Sequence, residues 1–238
     1  MRNLQNIIAL HFLLATIIWT TEAQTYSDDS LIVVEFLTAN GYASTPVEAI
    51  ATVENGRIST LTRFEDKLIR VLPQSIGSLS ELTYINLSDN IIDELPSTFS
   101  KLQKLNTLYL IRNRLTKWPE VFYDMPNLET IDIGGNHLTQ LPDSISRCNK
   151  LKKLYINDNY LTLLPESITK LDLETVHVAG NSLQNLPESI IKWIDQRDYY
   201  KENSEWKKYQ HGFCGIDSSY VREILESKGL SDLPIDSV

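Results

Sequence analysis

Apolar residues recur along this chain in seven columns with a period of 23 residues. The first runs Ile76, Phe99, Phe122, Ile145, Ile168, and the second Leu79, Leu102, Met125, Cys148, Leu171. Then come Leu82, Leu105, Leu128, Leu151, Leu173; Ile85, Leu108, Ile131, Leu154, Val176; and Leu87, Leu110, Ile133, Ile156, Val178. The last two are Ile92, Leu115, Leu138, Leu161, Leu183 and Leu95, Trp118, Leu141, Leu164, Leu186. An eighth column is asparagine throughout: Asn90, Asn113, Asn136, Asn159, Asn181. Prolines at 73, 96, 119, 142, 165 and 187 keep the same beat, 23 residues apart and 22 at the last step. Such a period predicts identical supersecondary units stacked end to end, burying one continuous core that no single unit closes alone.

Within a unit such as L-N-T-L-Y-L-I-R-N-R-L, from Leu105 to Leu115, alternation around Leu108 and Leu110 is the period of a short strand with one buried face. Strands that recur once per unit in the same sense pair in parallel, with the connector crossing behind the sheet. Each connector opens on proline, where a missing donor costs little, and places apolar residues three apart, the spacing of a tight helical turn. Turns are wider along the stack than strands, so the stack bends with its sheet concave. The asparagines fall where the chain turns after each strand, where an amide satisfies backbone groups left unpaired inside the stack.

The consensus L-x-x-L-x-L-x-x-N-x-L, followed by x-x-L-P-x-x-I-x-x-L, resembles the leucine-rich repeat family over Ile58 to Trp193. The connector is similar to the 23-residue class of that family, and the resemblance implies an α/β solenoid. This is a right-handed horseshoe segment with a parallel sheet on its concave face and short helical or 3-10 turns on its convex face. It also implies a non-catalytic scaffold that recognises another protein or a peptide through the concave sheet. Fold alone names no ligand.

The ends are atypical. Asn55-Gly56 reads as a turn before a first irregular strand, Lys67 stands where asparagine is expected, and upstream Ser30 and Thr45-Pro46 open two short helices. Past Trp193 the leucine pattern stops at 196–198, and Trp206 and Tyr209 belong to a segment that wraps the open end. From Asp217, the chain aligns without gaps onto the stretch from Asp29 to Ile50, which reads either as a chance likeness of two amphipathic helices or, as expected here, as a partial second copy of its own N-terminal cap. The expected organisation is a signal peptide over 1–23, a helical cap over 24–57, an array of one atypical and five full repeats over 58–194, a C-terminal cap over 195–216, and the partial cap copy over 217–238.

Arg2, the apolar run from Ile7 to Trp19 and Thr21-Glu22-Ala23 have the layout of a secretory signal. That run is shorter than the ~20 residues of a membrane span. The expected location is secreted or cell surface, or periplasmic in a Gram-negative bacterium, with no membrane span after signal removal. The family resemblance adds that cysteine-rich caps, usual in animal extracellular members, are missing here, which favours a bacterial or otherwise atypical secreted protein. Cys148 occupies a core column and reads as a small buried hydrophobe, unavailable to Cys214.

A formal net charge of −9 argues against nucleic acid. His137, His177 and His211 show no ligand spacing with one another or with the cysteines, Asp132 and His177 lie two repeats apart, and no catalytic constellation or cofactor motif is present. Gly134-Gly135 and Ala179-Gly180 read as tight turns. The surface left for function is the outward side of the strands. Its candidate partner-binding residues are Tyr84, Asn86, Tyr109, Arg112, Asp132, Tyr155, Asp158 and His177, aromatic and charged types that dominate interface energetics. Asn86-Leu87-Ser88 is also a glycosylation sequon on this face. A second reading remains open, in which the chain is a structural or adhesive segment of a larger tandem-module surface protein that binds carbohydrate or cell wall.

Overall fold

The computed structural model describes residues 28–64, 68–199 and 205–207. The segment expected to be a signal peptide, Lys67, Tyr209, His211, Cys214 and the stretch expected to be a partial cap copy lie outside the described residues.

Seven strands form one sheet in strict chain order. They are β1 (Ala51–Glu54), β2 (Arg57–Leu61), β3 (Tyr84–Asn86), β4 (Thr107–Tyr109), β5 (Thr130–Asp132), β6 (Lys153–Tyr155) and β7 (Thr175–His177). From β2 to β7 every pairing is parallel and in register, so Ile85, Leu108, Ile131, Leu154 and Val176 sit side by side. Between strands, 3-10 turns at Gln74–Ser78, Ser97–Lys101, Glu120–Asp124, Asp143–Arg147 and Glu166–Lys170 each follow a proline with an extended backbone. The five turns end alike, with the N–H of the closing residue donated three residues back, as in Leu79 to the Ile76 carbonyl. Spacing of three is what stacks Ile76 over Leu79.

All seven apolar columns are buried except at Leu95 and Leu186, which are half-buried against the same core. Successive turns approach closely on the convex side: a side chain at Gly77 would meet the Thr98 carbonyl oxygen at 2.2 Å, so that position has room only for hydrogen.

The asparagine column links neighbouring repeats. Asn113 donates to the carbonyls of Leu110 and Ile111 in its own turn and of Leu87 in the preceding repeat, and its Oδ1 accepts from Ile92 N–H. Asn136 repeats the set with Ile133, Gly134, Leu110 and Leu115 N–H; Asn159 and Asn181 follow. An amide has one acceptor and two donors on one planar group, which no other side chain of that size offers. The expected structural role therefore stands in atomic detail.

The N-terminal cap is a helix, α1, over residues 28–39, followed by a 3-10 turn at Val47–Ala49 and the hairpin β1–β2. Helical residues precede Ser30, so Ser30 lies inside α1 instead of capping it. The binding role falls to Asp29, which is buried and accepts from Arg57 Nε at 2.9 Å, Arg57 Nη2 at 3.0 Å and Ile58 N–H at 2.9 Å. Asn55 and Gly56, at φ 50° and 72°, make the two-residue turn that matches strand twist, and β1 adds the sheet's one antiparallel pairing. The cap expected to be helical thus also contributes a strand.

At the other end, α2 (Glu188–Asp195) replaces the 3-10 turn and buries Ile190, Trp193 and Ile194. The chain then returns to the sheet. Val176 N–H donates to the Arg197 carbonyl and Tyr199 N–H to that of Val176, a parallel bridge that sets Asp198 opposite Val176. Trp206 is buried and donates from Nε1 to Asp195 at 2.8 Å.

Candidate functional site

In each of β3, β5 and β7, and likewise β4, the middle residue is buried and its two neighbours are half-buried, as expected for leucine inward and tyrosine outward. In β6, Lys153 is exposed and Tyr155 half-buried. Register aligns Asn86, Tyr109, Asp132, Tyr155 and His177 in one row across the strands. Beside it runs Tyr84, Thr107, Thr130, Lys153 and Thr175. The six strand-borne candidates therefore share one face.

Aromatic contacts order that face at both ends. Tyr84 and Tyr109 meet edge to face, with centroids 5.6 Å apart. At the other end Tyr199 stacks on His177 at 5.4 Å and meets Tyr155 edge-on at 5.8 Å. Tyr199 was not among the sequence candidates, yet it extends the row by one rung. A legible signal existed, since it stands 22 residues after His177, the same step as from Tyr155 to His177.

Asn86 and Asp132 do local work as well. Each Oδ1 accepts the backbone N–H two residues on, Ser88 and Gly134, at 3.0 Å in both cases. These side-chain turns steer the chain out of the strand. Burial pushes the Asp132 carboxyl up to about 6, against the opposing pull of the Gly134 N–H and Arg112. Burial also holds the His177 imidazole below its usual value, so the ring favours its neutral form.

Arg112 and Asp158 border the row at the positions just before the asparagines, both left-handed, at φ 49° and 52°. Glycine takes the same place at Gly135 and Gly180, both at φ 64°, which supports the tight-turn reading of the glycine pairs. A side chain at Gly180 would also collide with the Asp158 carboxylate, at 2.0 Å. Arg112 is gripped by both carboxylate oxygens of Asp89, through Nε and, at 2.8 Å, Nη2. Asp158 accepts from Asn157 Nδ2 at 2.6 Å.

Between Tyr109 and Tyr155 lies a shallow depression of about 380 Å³, bordered also by Thr107, Thr130, Glu129 and Lys153. Among the described residues no group of three His, Cys, Asp or Glu side chains is placed to hold a metal ion. Cys148 is buried in the core, where desolvation pushes its thiol up to about 12, far from a reactive thiolate. No described helix is long and apolar enough to cross a membrane.

Family models described as leucine-rich repeat match residues 118–161 and 81–102. This is a leucine-rich repeat protein. The leucine-rich repeat chain is similar to solved structures of the same fold. A leucine-rich repeat protein of Leptospira interrogans is 27% identical with a TM-score of 0.53, over 64% of this chain and 38% of that one. A structure of PEPR1–AtPEP1 is 28% identical with a TM-score of 0.54, over 71% of this chain and 28% of the other. The plant peptide hormone receptor RGFR1 in complex with RGF2 is 28% identical with a TM-score of 0.50, over 58% and 23%. The leucine-rich repeat chain thus spans well under half the length of each. No curated protein sequence matches it.

Proposed function

We propose that this leucine-rich repeat protein is a non-catalytic recognition module that binds an extended peptide segment of a protein partner across its concave face. One observation carries the reading: Asn86, Tyr109, Asp132, Tyr155, His177 and Tyr199 stand on adjacent rungs of one face, the first five half-buried and Tyr199 exposed. Backbone groups of β3 to β7 are already paired to one another, as in Leu110 N–H to the Asp132 carbonyl, so a ligand cannot add a strand here. It must be read by side chains. Six rungs at the ~4.8 Å strand spacing span ~24 Å, the length of roughly seven extended residues.

Two of the similar structures support the reading, since one is a peptide hormone receptor in complex with RGF2 and the other pairs PEPR1 with AtPEP1. In the same proposal Tyr84, Arg112 and Asp158 rim the site, the functional unit is the array of 58–194 with caps over 24–57 and 195–216, and residues 1–23 direct secretion. A surface glycan is a weaker fit, because the ordering of the face is aromatic pairing across several rungs and not a closed sugar-sized pocket. Selection of displayed peptides on the wild type and on Tyr109→Ala/Tyr155→Ala tests the proposal. Peptides that bind the wild type and are lost from the double variant are expected; equal retention on both would refute it.

A further inference from the structure

We infer that the gap between Tyr109 and Tyr155 is a seat for a basic side chain of the bound peptide, whose cation pairs with Asp132 on the strand between them. The inference rests on the proposed peptide-binding role of the face. Tyr109 and Tyr155 flank Asp132 on the two neighbouring strands, β4 and β6, which lie ~9–10 Å apart. Each tyrosine is braced from its far side, Tyr109 by Tyr84 and Tyr155 by Tyr199, both edge to face. The depression between the two rings lies over Thr130, with Glu129, Glu174, Lys152 and Lys153 also on its border, and Asp132 stands next to it on the same strand as Thr130. Lysine and arginine carry an aliphatic stem that packs along aromatic surface and a cation that a carboxylate and ring faces both attract.

The charge at 132 is not needed for the fold. Asn86, two rungs earlier in the same column, makes the same turn with a neutral amide at the same 3.0 Å. A carboxylate at this half-buried site is disfavoured by desolvation, and its raised pKa registers that burden. Among the described residues no cation forms an ion pair with it, because Arg112, whose charge it feels, is held by Asp89. Asp158 adds a like charge on the other side. A ligand cation reverses this by pairing with the carboxylate. Burdened groups retained where a neutral one folds equally well are what a stability-for-function exchange leaves behind.

A randomised octapeptide library, selected at pH 7.5 on the wild type and on Asp132→Asn in parallel, tests the seat. The expected result is enrichment of arginine or lysine at one position on the wild type alone. A synthesised wild-type-selected peptide should then lose about ten- to a hundredfold in affinity for Asp132→Asn. Replacing its basic residue with citrulline should cause a similar loss on the wild type and no further loss on the variant. Thermal melting at or above the wild-type midpoint shows that the variant is folded, as the Asn86 geometry requires. Peptides selected without a basic position, or equal affinity for both proteins, overturn the seat and leave the face reading intact. A wild type that selects no peptide overturns both.

Discussion

Tyr199 stacks on His177 with ring planes 27° from parallel, although the leucine pattern has already ended before it. The contact shows that the concave face is one rung longer than its leucines. Tyr199→Ala should open the imidazole to water and raise its pKa toward the usual value, since burial is what lowers it while Asp158 pulls the other way. Proton NMR titration of the His177 ring measures this, and an unchanged midpoint would show that Tyr199 contributes nothing to its burial. The same variant should weaken binding of any peptide that reaches the last rungs.

Inward and outward positions should separate in stability measurements. Leu108 is fully buried, and Leu108→Ala should cost ~2–5 kcal/mol through lost burial and a cavity. Tyr109→Ala with Tyr155→Ala should cost roughly 1 kcal/mol or less, because both rings are half-buried beside solvent. Denaturant midpoints at constant slope give both values, and equal losses would contradict the orientation of the strands.

Asn136→Ala should be among the most damaging changes to a polar residue. It strips Leu115 N–H of its acceptor and three carbonyls of a shared donor in a place that is 1% exposed. Buried groups left unsatisfied cost ~1–3 kcal/mol each, so a loss of roughly 2–4 kcal/mol is expected by urea unfolding. Asn136→Asp should fare no better, since a carboxylate has no donor for those carbonyls.

Asp132 sets a pH dependence of known sign. Its folded pKa, about 6, lies above the usual 3.8 of an aspartate, so the folded state holds the proton more tightly than the unfolded chain. The contribution to stability is therefore fully present below pH ~4 and is lost as pH rises through about 6, by on the order of 2–3 kcal/mol. Arg112 and Asp158 act on this carboxyl with opposite signs, and Tyr109 and Tyr155 flank it on the neighbouring strands. Asp132→Asn should flatten the slope between pH 4 and 6.5 and stabilise the protein at pH 7. Melting curves across that range decide it, and a slope retained in the variant would assign the dependence elsewhere.

Most of the array was legible because each apolar column is a repeated decision about burial: Phe99 and Phe122 announce the same pocket in successive turns. Asparagine was legible for the same reason, since an amide recurring at a turn has few uses other than backbone. The ends were not. Nothing in the apolar pattern marks Asp29, because only the fold brings Arg57 and Ile58 N–H to it. The last rung is held by main-chain bonds from Arg197 and Tyr199 to Val176, which require no leucine and so leave no mark in an apolar pattern. In α2 the sign was Ile194, whose place one residue after Trp193 gives the spacing of an α-helix where a 3-10 turn was expected. Within the site, strand periodicity placed the outward residues, but the pairing of Asn86 and Asp132 as equivalent turns needed coordinates.

The asparagine bonds that leave a repeat all reach backward, toward the N-terminus: Asn113 serves Leu87 and Ile92, and Asn181 serves Ile156 and Leu161. A rupture between two units therefore leaves main-chain groups of the upstream stump without their amide, while the downstream asparagine loses its partners across the cut but stays bonded to the carbonyls of its own turn. Severing the molecule is chemically lopsided. Shortened versions ending after a strand should fail unless a borrowed terminal turn supplies the absent amide, whereas versions beginning late need only a cover for exposed apolar surface.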